Sequence, residues 1–254
     1  MSKLRISAVR YANTYPLLYG LRESGIEEKA TIEIDHPAEC ARKLASGEVD
    51  ISLVPIAALP DIKDYKIISD YCIGTNGAVR TVLLLANSPF SELKKIFLDY
   101  RSVTSVALTR ILAKMYWKTS FEWEGTGADF DFLNIGTNEG VVLIGDQCFN
   151  FEHRYPYRLD LALEWNRFTG LPFVFACWAA TKEIDRDFLD FFNKALMFGV
   201  SNIESAASKF STVSAMPPDV LITYLNDNID FMLNEDKIMA MNMFFNYLKQ
   251  INQY

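Results

Sequence analysis

From its first residues the chain alternates short β-prone runs with short amphipathic stretches, and no flexible linker interrupts them. Residues 4–9 form a β-prone run that breaks into the polar and aromatic loop Arg10-Tyr-Ala-Asn-Thr-Tyr-Pro16. Pro16 suits the first turn of a helix, where its missing N–H is not needed. Residues 31–34 alternate with period two, which predicts a strand. Pro37 opens a helix carried by Ala38, Ala41, Leu44 and Ala45, and Gly47 stops it. Residues 50–55, 65–69 and 79–86 read as strands. This alternation predicts a mostly parallel sheet flanked by helices.

The pattern continues with a strand at 96–100 and the polar segment 101–105. Leu108, Ile111, Leu112 and Met115 then recur at helical spacing. Residues 141–144 are an apolar strand ending at Gly145-Asp146. Residues 159–168 predict a helix closed by Gly170, and 172–179 an apolar strand. The remainder reads as helical, with faces formed by Phe188, Phe192 and Ala195, by Val220, Leu221, Tyr224, Leu225 and Ile229, and by Ile238, Met241, Phe245 and Leu248. Without a linker, two lobes must be joined by ordered strands, for which 81–86 and 173–179 are the candidates. The expected architecture is therefore α/β. Residues 1–86 and 177–254 form one lobe, 87–176 form an inserted lobe, and ligand is expected in a cleft between them, beyond the carboxyl ends of strands.

Composition narrows the function classes. The 254 residues carry 25 Lys and Arg against 32 Asp and Glu, a net charge of −7, with a pI near 5.0. A nucleic-acid partner needs a basic face, and so does a protein held at a membrane surface by charge. Half the residues are apolar, which excludes a disordered chain. The four cysteines, Cys40, Cys72, Cys148 and Cys177, show no zinc-type spacing and read as buried small apolar groups. No metal is expected. The N-terminal run lacks the apolar core of a signal peptide, and no stretch approaches the roughly 20 apolar residues of a membrane helix. A cytoplasmic protein is expected. Gly74-Thr-Asn-Gly77 lacks the order of a dinucleotide loop, and neither a P-loop nor a GxSxG elbow is present. Both histidines read as incidental: His36 as a turn residue before Pro37, His153 as part of a solvated charged loop.

Four local strings can carry chemistry. Ser102-Val-Thr104-Ser105 follows a strand and opens a helix, so its hydroxyls, amides and helix dipole suit an anion; capping alone is the other reading. Asn13, after the first strand, offers one acceptor and two donors without charge and can orient a substrate, or it serves the turn. Gly145-Asp146 ends a buried strand, where the carboxylate contacts ligand or caps the next element. Thr169-Gly-Leu-Pro172 is a helix stop or part of a site. From these residues alone the chain is a two-lobed α/β protein holding a small anion, and enzyme and binding module stay open.

Several strings taken together are more specific. They are Arg5-Ile-Ser-Ala-Val-Arg-Tyr-Ala-Asn-Thr-Tyr-Pro-Leu17, Gly47-Glu-Val-Asp-Ile-Ser-Leu-Val-Pro55 and Gly77-Ala-Val-Arg-Thr-Val82. They continue with Ser102-Val-Thr-Ser-Val106, Leu143-Ile-Gly-Asp146 and Trp165-Asn-Arg-Phe-Thr-Gly-Leu-Pro-Phe-Val-Phe-Ala-Cys-Trp178. Their order and spacing over residues 4–180 resemble the chorismate dehydratases of the futalosine route to menaquinone. The resemblance implies a type II periplasmic-binding-protein fold, two α/β lobes joined by two crossover strands. It implies loss of water from chorismate to give 3-[(1-carboxyvinyl)oxy]benzoate, without a metal or organic cofactor. The family's key asparagine falls on Asn13. A family serine falls on Thr81, and the Ser-x-Thr-Ser helix start falls on Ser102, Thr104 and Ser105, with Val103 in place of a commonly basic residue. The family's Asp-Leu-Gly reads Asp160-Leu-Ala162 here. Gly145, Asp146 and Thr169 complete the expected substrate-binding set. Two other readings are a 1,4-dihydroxy-6-naphthoate synthase of the same pathway and a non-catalytic cytoplasmic module for small anions. The first family carries a histidine near the strand end that here reads Ile144-Gly145-Asp146, and no histidine stands there.

Overall fold

In the computed structural model, which describes residues 3–214 and 216–252, strands and helices alternate over most of the chain. The first stretch holds β1 (Leu4–Val9), α1 (Tyr15–Glu23), β2 (Ala30–Asp35), α2 (Pro37–Ala45), β3 (Ile51–Pro55) and β4 (Lys66–Thr75). Then come β5 (Val82–Ala86), β6 (Lys95–Leu98), α3 (Val103–Ile111), β7 (Glu122–Gly125), β8 (Glu139–Ile144), α4 (Cys148–Phe151), β9 (Tyr157–Asp160) and α5 (Leu161–Thr169). The chain ends with β10 (Phe173–Ala180), α6 (Arg186–Val200), α7 (Ile203–Lys209), α8 (Pro218–Asp227), β11 (Asp230–Met232) and α9 (Glu235–Asn252).

These elements form two compact units, Met1–Gly74 with Val174–Glu235, and Thr75–Phe173 with Asp236–Tyr254. The first holds a sheet of order β11-β4-β10-β3-β1-β2. β1 runs parallel to β2 and β3, whereas β10 runs antiparallel to β3. Every residue of β3 is buried, as expected for a strand covered on both faces. The second unit holds a sheet of order β7-β6-β8-β5-β9. β6 is parallel to β7 and β8, and β5 is antiparallel to β8 and β9. Both sheets are thus mixed rather than mostly parallel. Leu83, Leu85, Phe97, Val141, Leu143 and Tyr155 pack into the second unit's core, with Phe130, Phe132 and Phe151 against it.

Several boundaries differ from the sequence pattern. The chain leaves the first unit after Gly74, at the end of β4, so 82–86 is an internal strand of the second sheet and not a connection. Residues 157–160 are a strand, and the helix begins only at Leu161, because the Asp160 side chain accepts from the amides of Ala162 and Leu163 and caps it there. β7 and β11 carry little apolar alternation and escape the periodicity test. The last helix groups with the second unit, although the sequence pattern assigns 177–254 to the first lobe. Aromatic contacts explain this: Phe244 packs edge-on against Trp165 and Phe173, and Tyr247 lies against Phe168. Its buried seam runs through Lys237, Ala240, Met241 and Phe244, while Ile238 is exposed.

In the first unit α1 and α6 meet backbone to backbone. A Cβ on Gly20 would run into the Ala195 carbonyl and lie 2.7 Å from the Gly199 nitrogen, and one on Gly199 would run into the Pro16 carbonyl. Backbone on both sides cannot yield as a side chain does. Gly20→Ala is therefore expected to destabilise the protein by about 3 kcal/mol or more and to lower the midpoint of thermal unfolding by at least about 6 °C. Gly25→Ala, with φ +73 and nothing within 4 Å, should cost only about 1 kcal/mol by backbone strain. Parallel thermal melts check both.

Candidate functional site

The second sheet brings four chain segments to one of its ends. β6 and β8 are parallel, so their C-terminal ends share that edge, and α3 opens from it after β6. β5 runs the other way, so its entry point, Thr81, meets the exit of β8: the Gly145 amide donates to the Thr81 carbonyl at 2.9 Å. β9 is antiparallel to β5 and finishes there too, with Asp160 opposite Leu83. Thr81, Ser102, Thr104, Ser105, Gly145 and Asp146 thus gather at this end.

The start of α3 is a built helix cap. Ser102 has extended backbone (φ −134, ψ 100), and its Oγ accepts from the Ser105 amide at 3.1 Å. The same hydroxyl donates to Ser105 Oγ at 2.8 Å. Ser102, Thr104 and Ser105 are all buried. Just before them Asp99, fully buried, takes the Arg101 guanidinium on both oxygens, at 2.8 and 2.5 Å, and the Arg101 amide at 3.1 Å. This pair fixes the turn into the helix and neutralises the guanidinium.

The approach to Thr81 is equally constrained. Arg80 has φ 62, a left-handed conformation that a side chain disfavours. It is held there because its amide donates to Asp160 Oδ2 at 2.7 Å and its guanidinium donates to Glu152 at 2.8 Å while lying 4.8 Å over the Phe149 ring. The other oxygen of Asp160 takes the Ala162 and Leu163 amides, both at 3.1 Å. Burial pushes the Asp160 carboxyl above its ordinary pKa, against the pull of these amides. Gly145 supplies φ 76 at the exit of β8. Thr169 lies at the other end of α5, about 13 Å along the helix from Asp160. Its hydroxyl donates to the Trp165 carbonyl at 2.8 Å and accepts from the Leu171 amide at 3.1 Å, which is a helix-stop arrangement.

In the first unit, Asn13 sits in the short 3-10 turn Ala12–Thr14 beyond the C-terminal end of β1. It is half-buried, and its Oδ1 accepts from the Thr14 hydroxyl at 3.3 Å. Pro16 in the first turn of α1 fixes the direction in which the chain leaves. The histidines stand elsewhere: His36 at the N-cap of α2, and His153 exposed beside Glu152. All four thiols are buried, and burial pushes those of Cys40, Cys148 and Cys177 up, Cys40 to about 11. None of these three is a ready nucleophile at neutral pH. Among the described residues no three His, Cys, Asp or Glu side chains group as a metal site requires, and no helix is long and apolar enough to cross a membrane.

A family model described as menaquinone biosynthesis matches residues 4–250 of the chain. The chain belongs to the menaquinone biosynthesis family. The chorismate dehydratase of Thermus thermophilus is 32% identical over 197 residues, 68% of either protein. Among solved structures, a protein of Archaeoglobus fulgidus superposes with a TM-score of 0.76 at 14% identity, covering 99% of this chain and 98% of the other. A Candida albicans protein described as having the generic periplasmic-binding-protein fold gives 0.70 at 12% identity, covering 100% and 91%. The periplasmic aliphatic sulphonate binding protein of Escherichia coli gives 0.63 at 15%, covering 100% and 92%. The family member described here therefore has a periplasmic-binding-protein-like fold with two mixed α/β sheets.

Sequence reasoning overlooked Asp160 as a site-building residue, together with Arg80, Asp99 and Arg101. The signal was present in Asp160 standing three residues before Leu163, an N-cap spacing, but it was hidden inside an apparently continuous helical run. Asp160→Ala would strip three backbone amides of their acceptor. It is expected to destabilise the protein by about 2–3 kcal/mol, against about 1 kcal/mol for Ser102→Ala, which loses one capping bond. Denaturant unfolding of the two variants beside the parent protein checks the order.

Proposed function

We propose that this protein is a chorismate dehydratase, a hydro-lyase that converts chorismate to 3-[(1-carboxyvinyl)oxy]benzoate for menaquinone formation. The observation that carries the reading is the family match over residues 4–250, joined by the 32% identity to the Thermus enzyme. In the reaction the C3–H bond breaks, its electron pair forms the new ring double bond, and the C4–O bond breaks. The leaving hydroxide takes up a proton and departs as water. Aromatisation supplies the driving force, so the protein has chiefly to hold the geometry and stabilise developing charge.

We assign Asn13 to the reacting part of the substrate, where an uncharged amide can both donate and accept. We assign Thr81, Ser102, Thr104 and Ser105, with the start of α3, to anionic groups of the substrate, with Gly145 and Asp146 beside them. Their gathering at one end of the second sheet supports this assignment. Thr169 is left out, because its hydroxyl already closes α5. For the proton acceptor we assign the enolpyruvyl carboxylate of chorismate itself.

Incubating the purified protein with chorismate and following the aromatic product tests the activity directly; binding without turnover would overturn it. Asn13→Ala and Asn13→Asp should each lower turnover by about 100-fold or more. Near-parental rates in both would remove Asn13 from the mechanism. Thr81→Ser keeps the hydroxyl and should stay within about threefold of the parent, whereas Thr81→Val should lose about tenfold or more in kcat/KM.

A further inference from the structure

Where the chain enters Thr81, one residue stands in a conformation that its side chain disfavours. Arg80 has φ 62. A left-handed backbone disfavours a residue with a Cβ by about tenfold. Such strain persists only where surrounding groups hold it, and it concentrates at functional sites. Among the described residues Asp64 and Lys118 share this region of φ, but only Arg80 adjoins a residue assigned to substrate.

The groups that hold Arg80 belong to a closed circuit of chain. β8 ends at Ile144, and Gly145 turns the chain toward α4. α4 is anchored on β8, because the Cys148 thiol donates to the Leu143 carbonyl at 3.4 Å. Glu152 follows α4. Its amide donates to the Cys148 carbonyl at 2.8 Å, and its carbonyl accepts from Arg158 Nη1 at 3.0 Å. The backbone of this buried residue is thereby fixed on both sides, and its carboxylate accepts from Arg80 Nη2 at 2.8 Å. The same guanidinium lies 4.8 Å over Phe149 of α4. From Arg80 the chain enters Thr81, whose carbonyl accepts the Gly145 amide at 2.9 Å and returns the circuit to its start.

Two carboxylates hold Arg80, and they act on different parts of it. Asp160 takes the amide at 2.7 Å, which almost any residue at this position would offer. Glu152 takes the side chain, so it alone links the backbone angle to α4. Without that acceptor the partly exposed guanidinium turns to solvent. The residue then relaxes toward negative φ and carries Thr81 with it. A displacement of about 1 Å in a positioning group can cost about 100-fold in rate. We infer that Glu152 is a positioning residue for the dehydration, keeping the Thr81 hydroxyl on the substrate by holding Arg80 left-handed. The inference rests on the assignment of Thr81 to substrate, and it gives the Glu152 and Arg80 side chains no contact with substrate.

Two substitutions at position 80 separate backbone from side chain. Arg80→Ala and Arg80→Gly both lose the guanidinium, but only glycine takes a φ of this sign without penalty. Arg80→Ala should lower kcat/KM for chorismate by about fivefold or more, while Arg80→Gly stays within about twofold of the parent. Glu152→Met keeps the side-chain length and removes the acceptor. It should also lose about fivefold or more, and adding Arg80→Gly to it should restore most of that loss. Amide hydrogen exchange reads the same hold without substrate. In Arg80→Ala and Glu152→Met the Gly145 amide should exchange about fivefold or more faster relative to that of Val142, buried in β8. Glycine at position 80 should return this ratio to the parental value, and the ratio is insensitive to a general loss of stability. Equal losses in Arg80→Ala and Arg80→Gly would overturn the inference. So would a Glu152→Met defect that glycine does not rescue, or parental turnover and exchange in Glu152→Met. Absence of turnover in the parent would instead remove the dehydratase reading, and the Gly145 exchange ratios would still show whether Glu152 positions Thr81.

Discussion

Asp160 ties together three pieces of backbone that would otherwise be set separately. One of its oxygens takes the Arg80 amide and the other takes the first amides of α5. Because β9 ends at this residue and pairs with β5, the same carboxylate fixes where β9 stops, where α5 starts and how the chain turns into Thr81. The left-handed backbone of Arg80 is tolerable only because that bond and the Glu152 ion pair over-determine it. Partial burial makes this carboxylate costly to keep charged, and its backbone donors offset that cost. The placement of Thr81 opposite Gly145 follows from it.

What the sequence made legible divides along the same physical line. β1, β2, α2 and β3 are set by local signals, namely period-two alternation, Pro37 at a helix start and Gly47 beyond its end, and they stand where the pattern predicts. Ser102 is readable as a cap because the cap is a property of four consecutive residues, Ser102 to Ser105. The misplaced boundaries depend on partners far away in sequence. Residues 159–160 look helical until pairing with β5 claims them for the strand Tyr157–Asp160. The face of α9 was assigned one position off its true seam because a lysine, Lys237, occupies a fully buried place in it. Periodicity counts apolar residues and has no means of counting a buried ammonium group.

The electrostatics of the second sheet's end bear on the proposed chemistry. The composition suggests a shortage of positive charge, and the structure sharpens it: the arginines next to Thr81 and Ser102 in the chain, Arg80 and Arg101, are already matched to Glu152 and Asp99. A dianion at that end would meet hydroxyls and a helix start rather than uncompensated cations. Those groups distinguish geometry better than they supply raw attraction, because a dipole acts only over the first turn. That suits a reaction in which placement matters more than bulk affinity.

It also bears on the base. The His36 ring lies 3.1 Å from the Arg10 guanidinium, His153 lies in solvent, and the shifted thiols of Cys40, Cys148 and Cys177 are held protonated. A carboxylate is then the natural acceptor, and chorismate brings its own. A substrate carboxylate and an aspartate have nearly the same ordinary basicity, so nothing is lost in proton affinity by letting the substrate provide it. What an intramolecular base needs is restriction to one reactive rotamer, and well-oriented intramolecular groups reach effective molarities on the order of 10⁵ M or more. In the role proposed for Asn13, an uncharged amide would impose that restriction without competing for the proton, and an aspartate at the same position would not.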